Sequence, residues 1–486
     1  MRFICFFQVV VLLVVFGTNF STCCAQQEDF SIGNIRAPTL HLGQDTKAIK
    51  WKRKVGDYCS DVLVGSKQVI IFGNNTLQQQ VQNTKVPNGT AVACFDRKTS
   101  QLQWISSFKR VKFWPSDLPN TSIRTFSHLD DKQLTFISNR STLVCFDVVG
   151  FKNGDDGKII ETRKPDPTKG DLLWEIDLKN ELHVERRELI DTASRIGGVI
   201  LHEGIYYVVT GHGADYTSEG TLAPVFMAVD ANNGNIVWSK SDLKMGAASG
   251  HFAAPSMIKQ LQRTLVVFPG GDCSVYAYDI DGMKLAWKLD CNNRNSTVEF
   301  KTGNQLRFFS PPTILGNTML VTTAQSPELG GNQHSVAAYS LGENGEPKLK
   351  WRWDPSSFQG TYAPIVVNDR VAFVKDVSGS LFAINIDTGK TLWHFDSEDD
   401  QSSSSILSSV AVRSQDENRT FMPLNESLYV ISQAGTPKCT LEINFPGSSS
   451  VLTTPRVDND ELFVVAGDAL YCLSISELLK YETPKK

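Results

Sequence analysis

The sequence lacks several features, and each absence narrows its chemistry. Its 486 residues contain no Cys-X-X-Cys and no Cys/His cluster with metal-ligand spacing, so a zinc site is not supported. There is no long Lys/Arg run, and the formal net charge of -4 leaves no cationic field for nucleic acid. Ser/His/Asp order, paired carboxylate spacing and a Gly-rich phosphate loop are all missing, and Gly270-Gly271-Asp272 reads as a strand-to-strand turn rather than an anion cradle. Past the N-terminus no apolar run reaches the roughly 18 residues a membrane span needs, so no transmembrane segment is expected in the mature chain. With 41% hydrophobic and 21% charged residues, the composition of disorder is absent too, and the chain should fold throughout.

What is present begins with an export signal. Arg2 precedes an apolar run from Phe3 to Phe16, and a small, polar stretch ends Thr22, Cys23, Cys24, Ala25 before Gln26. That order matches a cleavable secretory signal, with Cys23 and Ala25 as the small residues a signal peptidase reads. The run is too short for a retained anchor. Lipidation at Cys23 is disfavoured because Phe20, Ser21 and Thr22 fit a lipobox poorly. The expected division is a signal peptide over 1–25, an extension over 26–44, a repeat domain over 45–480 and a tail over 481–486. The product is expected in the periplasm, at the cell surface or outside the cell.

Three of the ten cysteines, Cys5, Cys23 and Cys24, leave with the signal. Cys59, Cys94, Cys145, Cys273, Cys291, Cys439 and Cys472 remain, an odd number that leaves at least one unpaired. Cys273 and Cys291 flank a hairpin centred on Asp281 and Gly282, nearly opposite each other, and form a possible disulfide. Downstream of the signal, seven Asn-X-Ser/Thr sequons begin at Asn74, Asn88, Asn120, Asn139, Asn295, Asn418 and Asn425, more than chance supplies, as in a glycosylated secreted protein.

Self-similarity dominates the rest. Ala228-Val229-Asp230 precedes Gly234 and Trp238; Ala277-Tyr278-Asp279 precedes Gly282 and Trp287; Ala383-Ile384-Asn385 precedes Gly389 and Trp393. Cys94-Phe95-Asp96 keeps the same spacing to Trp104, with Ser100 where Gly is expected. Cys145-Phe146-Asp147 reaches Trp174 after a polar insertion, and Ala338-Tyr339-Ser340 reaches Trp351 after a shorter one. Val430-Ile431-Ser432 and Cys472-Leu473-Ser474 have no Trp. Short β-branched runs divided by Gly, Asn and Asp precede each unit, which makes each unit about four antiparallel strands, a propeller blade. Trp51 stands before the first complete unit and the last unit lacks a following strand, so the N-terminal strand is expected to close an all-β, eight-bladed ring and hide its edges. The motif is scaffold by its chemistry: a small residue for sheet approach, an Asp for turn N–H groups, a Gly for positive φ, and a Trp between blades.

With Asp-Ala-Asn-Asn-Gly-Asn-Ile-Val-Trp at 230 to 238 and Asn-Ile-Asp-Thr-Gly-Lys-Thr-Leu-Trp at 385 to 393, the chain resembles the PQQ-like repeat propellers. That family includes quinoprotein alcohol dehydrogenases and BamB-type outer-membrane assembly factors. From Gly170 through Trp287 the likeness is to bacterial envelope proteins of the BamB-like kind. The dehydrogenases hold PQQ between a vicinal disulfide and a Trp, beside calcium. The only adjacent cysteines here, Cys23 and Cys24, belong to the signal, and no Glu, Asn and Asp set aligns with that catalytic centre. No cofactor is therefore expected, with PQQ and calcium kept as the alternative.

In a propeller, the loop between a blade's second and third strands and the loop to the next blade share one face. That face should collect Arg195, then His212, Asp215, Tyr216 and Glu219 in the insertion Gly211 to Gly220, then His251, Asp272, Arg307 and His334. Inserted loops on a rigid scaffold are where binding sits, although such residues also serve merely to solvate loops. The leading expectation is a non-enzymatic envelope propeller binding a protein or polymer partner in a BamB-like role. The alternatives are a PQQ-dependent periplasmic oxidoreductase working in the central channel, and a sugar or small-molecule binding propeller.

Overall fold

Runs such as Val69-Ile70-Ile71-Phe72 are apolar at every position, a pattern that suits a strand covered on both faces. The computed structural model describes residues 31–32, 37–43, 46–83, 89–109, 122–157, 166–185, 196–213, 223–241, 251–260, 262–292, 306–325, 333–342, 346–395, 408–413, 418–433, 437–447, 450–451 and 453–482. Eight sheets form eight blades, each with four antiparallel strands. Blade 1 spans Asp61–Lys109, blade 2 His128–Asp177, blade 3 Gly198–Lys240 and blade 4 Ser256–Asp290. Blade 5 spans Thr313–Trp353, blade 6 Val366–Phe395, blade 7 Ala411–Asn444 and blade 8 Arg456–Ser474. First strands of neighbouring blades touch one another, so they line the axis.

The core lies in the seams between blades. Val69 and Ile71 pack with Phe463, Val465 and Leu470 of blade 8, whereas Ile70 and Phe72 pack with Leu134, Phe136 and Val144 of blade 2. Strand alternation thus sends successive side chains to opposite neighbours, and every seam around the ring is filled in this way. The N-terminal strand Ile49–Lys54 closes the ring as the outer strand of blade 8, antiparallel to Ala469–Ser474 with Trp51 opposite Cys472. Upstream, Ser31–Ile32 and Thr39–His41 run parallel to the outer strands of blades 6 and 7 and add a fifth strand to each.

The motif residues serve the scaffold. The residue before each motif Trp is an extra, bulged residue: Gln103 between the pairs Cys94–Trp104 and Phe95–Leu102, and Val237 between Ala228–Trp238 and Val229–Ile236. Trp51, Trp104, Trp174 and Trp351 each donate an indole N–H across the seam, to Arg97 O at 3.0 Å, Val148 O at 2.8 Å, Ala231 O at 2.9 Å and Ile386 O at 2.8 Å. In all four cases the acceptor directly follows the polar motif residue of the next blade. Asp96 accepts the N–H groups of Lys98 and Thr99, and Asn385 those of Asp387 and Thr388. Gly389 combines a φ of +71° with a position where a Cβ would lie 2.6 Å from Trp351. Ser100, in the place of that Gly, adopts the same left-handed turn with φ 58°.

Three expectations change. The stretch after Asn74 reads from sequence as a loop or irregular strand, but Asn75–Gln82 is an α-helix whose N-terminus is capped by Asn74 accepting Thr76 N at 2.9 Å. Asn74 is itself buried, so its sequon is sealed in the folded chain; Asn88, Asn120 and Asn295 lie outside the described residues. Cys273 and Cys291 do face each other, with Cys291 N donating to Cys273 O at 3.0 Å, yet both thiols are free. Cys273 takes a left-handed φ of 60° in the turn before the strand Ser274–Asp279, while Cys291 Sγ turns to Leu289 O at 3.9 Å.

Candidate functional site

The loops that lead into the first strands of blades 4, 5 and 6 meet at the axis on the face opposite the motif turns. They carry Phe252, Phe309 and Tyr362, which form a continuous aromatic collar with ring centroids 5.4 Å apart for Phe252 and Phe309 and 4.3 Å for Phe309 and Tyr362. Serine hydroxyls tie adjacent loops together here, Ser256 donating to Pro312 O and Ser409 to Pro364 O.

Arg307 sits on this collar. Its backbone is pinned by paired hydrogen bonds with Ala324, of 2.9 and 3.1 Å, and its guanidinium lies 5.9 Å from the Phe252 ring centroid. The residue is 5% exposed, and Nε and Nη1 have no hydrogen-bond partner among the described residues. Burial pulls its pKa down to about 10, partly offset by the Tyr362 hydroxyl, so it remains a cation at neutral pH.

His251, next to Phe252, is buried and donates from Nδ1 to His212 O at 2.7 Å, leaving Nε2 without a partner among the described residues. Burial lowers its pKa against the opposing pull of that carbonyl and of Asp272. His212 is buried as well, and its Nδ1 accepts Glu185 N at 3.0 Å. The structure therefore joins His212 to His251 and sets Arg307 against Phe252, the residue that follows His251. His334 packs edge-on to Phe358 beside Gly360, where a Cβ would lie 2.5 Å from its Nδ1. Asp272 is engaged locally, accepting Tyr276 Oη at 2.8 Å and Lys288 Nζ at 3.0 Å. Arg195, Asp215, Tyr216 and Glu219 lie outside the described residues.

Lys375 and the collar aromatics are missed by sequence reasoning. Lys375 ends the second strand of blade 6, is buried, and has its pKa brought down to about 7 by burial, with Asp376 opposing. A cation closing the apolar run Val371 to Val374 is the one signal that marks it.

Asp147, Asp156 and Asp171 in blade 2 hold oxygens within 4.8 Å of one another, enough to offer a hard cation three ligands. Asn153 Nδ2 already bridges Asp147 at 2.9 Å and Asp156 at 2.6 Å, and burial first, then neighbouring carboxylates, raises the Asp171 pKa. A quinone clamped on a vicinal disulfide does not fit: the seven described cysteines sit singly in the chain, all buried.

Residues 88–360 and 342–477 match the family described as Outer membrane protein assembly factor BamB. The chain belongs to that family. Among solved structures, this BamB-family propeller is similar to BamB from Moraxella catarrhalis, with 12% identity, 87% of this chain and 98% of that one covered, and a TM-score of 0.52. It is also similar to Sqt1 of Saccharomyces cerevisiae, at 10% identity, 87% and 97% coverage and a TM-score of 0.52. The computationally designed Ika8 protein matches at 12% identity, 87% and 100% coverage and a TM-score of 0.50. At these identities the likeness concerns the fold. No curated protein matches the chain.

Proposed function

We propose that this BamB-family propeller is an exported, non-enzymatic binding module that offers its loop-bearing face to a protein or polymer partner in the cell envelope. The observation that supports this reading is the unequal use of polar groups on the two faces. On the motif face most Asp, Asn and Trp groups are consumed by turns and seams, with Trp287 Nε1, His128 Nε2, His202 Nε2 and Arg413 Nε left over, while around the mouth on the other face buried polar atoms of Thr125, His251, Arg307 and His334 have no hydrogen-bond partner among the described residues. Buried polar groups in a finished scaffold are normally paired, so a face that keeps several unpaired is prepared for a second molecule. The outer strands, by contrast, expose Val237, Leu349 and Leu392 singly along blade edges.

The reading is tested with photo-crosslinking residues placed at Asp215, Tyr216 and Glu219, against a control at Val237, in the native cell. A single identified envelope component captured from the loop positions and absent from the control supports it. Equal labelling from both places, or substrate turnover that depends on loop residues, overturns it. Sequencing of the mature N-terminus tests export directly, with Gln26 the expected first residue.

A further inference from the structure

We propose that Arg307 forms an oxyanion-binding subsite at the axial mouth of the propeller, taking the carboxylate or phosphate group of a ligand. The guanidinium is held against Phe252, and no carboxylate among the described residues forms an ion pair with it. The backbone bonds to Ala324 fix the side chain's origin, so it is delivered to the collar by the fold and is not a wandering surface arginine.

Physical cost identifies the occupant's chemistry. A guanidinium removed from water is strongly disfavoured unless a counter-charge replaces the lost hydration. Its planar donors match carboxylate and phosphate oxygens, whereas a neutral hydroxyl restores none of the charge balance. Elsewhere this chain shows what a satisfied buried arginine looks like: Arg419, 4% exposed, meets Glu482 through Nε to Oε1 at 2.9 Å and Nη2 to Oε2 at 2.9 Å. Arg307 has the burial without a carboxylate partner among the described residues. An oxyanion supplied from outside completes it, either as a free small anion or as an acidic side chain of a docked polypeptide. The subsite is independent of the envelope-partner reading, since a small anion can fill it with no partner present.

The test is thermal unfolding of the protein as it is isolated from its native cell and of Arg307→Met and Arg307→Lys, at constant ionic strength, in chloride, inorganic phosphate, citrate or a short poly-glutamate peptide. The expected result is a saturable rise in Tm of the parent with at least one oxyanion, retained in part by Arg307→Lys and lost in Arg307→Met. Arg307→Met should also melt no lower than the parent in chloride, because it removes an uncompensated charge. Saturation by phosphate or citrate identifies a free anion as the occupant, and saturation by the peptide alone identifies an acidic segment. The proposal fails if Arg307→Met sharply lowers Tm in chloride, which reveals a counter-charge within the chain. It fails equally if no oxyanion acts, or if parent and Arg307→Met respond alike, which is a bulk salt effect.

Discussion

Two arginines, both about as buried as each other, are treated in opposite ways. Arg419 in blade 7 is locked to Glu482 beyond the last blade and also donates to Ser432 Oγ at 2.8 Å. Arg307, at the mouth above blades 4 to 6, rests on an aromatic ring with two nitrogens unpartnered among the described residues. The first cation staples the C-terminal segment to the ring and the second is left for something else. Burial alone therefore does not distinguish a structural charge from a functional one; the completeness of its hydrogen bonding does.

The sharpest way to break this contrast is Glu482→Ala. It leaves Arg419 buried with its charge uncompensated and should cost about 3–5 kcal/mol by urea unfolding. A loss below about 1 kcal/mol would mean the pair is no staple, and the distinction from Arg307 would collapse. Trp104→Ala comes next or alongside. It empties a seam and removes the bond to Val148 O, and should cost about 3–5 kcal/mol with the same measurement.

Smaller effects sharpen the account of the motif face. Gly389→Ala meets both an unfavourable backbone at φ +71° and the Trp351 ring, and should lose about 2–3 kcal/mol. Gly282→Ala has φ +79° with open space around it, so it should lose only about 1 kcal/mol. Equal losses in paired thermal melts would show that the Trp does not press on its neighbour's turn.

The mildest expectation concerns pH. Burial depresses the pKa of His128, His251 and His334, so the unfolded chain binds their protons first as acid is added. Stability contributed by these neutral rings is present above the ordinary histidine pKa of about 6.5 and is lost as pH falls through the folded values. Chemical unfolding at pH 7 and pH 5, with His251→Gln as the comparison, reads this directly: the variant should lose less on acidification than the parent.

The ring, its closure and its blade motif are legible in the sequence because each blade repeats a local pattern. A small residue, a polar turn residue and a Trp at fixed spacing need no long-range information, and Trp51 standing alone before the first unit declares the closure. The bulge that accompanies each motif Trp is invisible, since Gln103, Val237 and Lys350 share no chemistry. The helix Asn75–Gln82 escapes notice because only Leu77 and Val81 mark its buried side, too few to set a period. At the mouth, Arg307, His212 and His251 can be placed by blade register alone. Phe252, Phe309 and Tyr362 cannot, because an aromatic residue in a loop reads the same whether it fills a seam or rims a channel.

The closing strand has a consequence for how the molecule is made. Ile49–Lys54 must pair with Ala469–Ser474, so the first blade strand to emerge from the ribosome waits for almost the last. Throughout vectorial synthesis the nascent ring has two open ends with unpaired strand edges, and neither can be covered by a neighbour that does not yet exist. Both edges stay open until synthesis is complete, and a truncation of even the final blade leaves the ring unsealed at both ends at once.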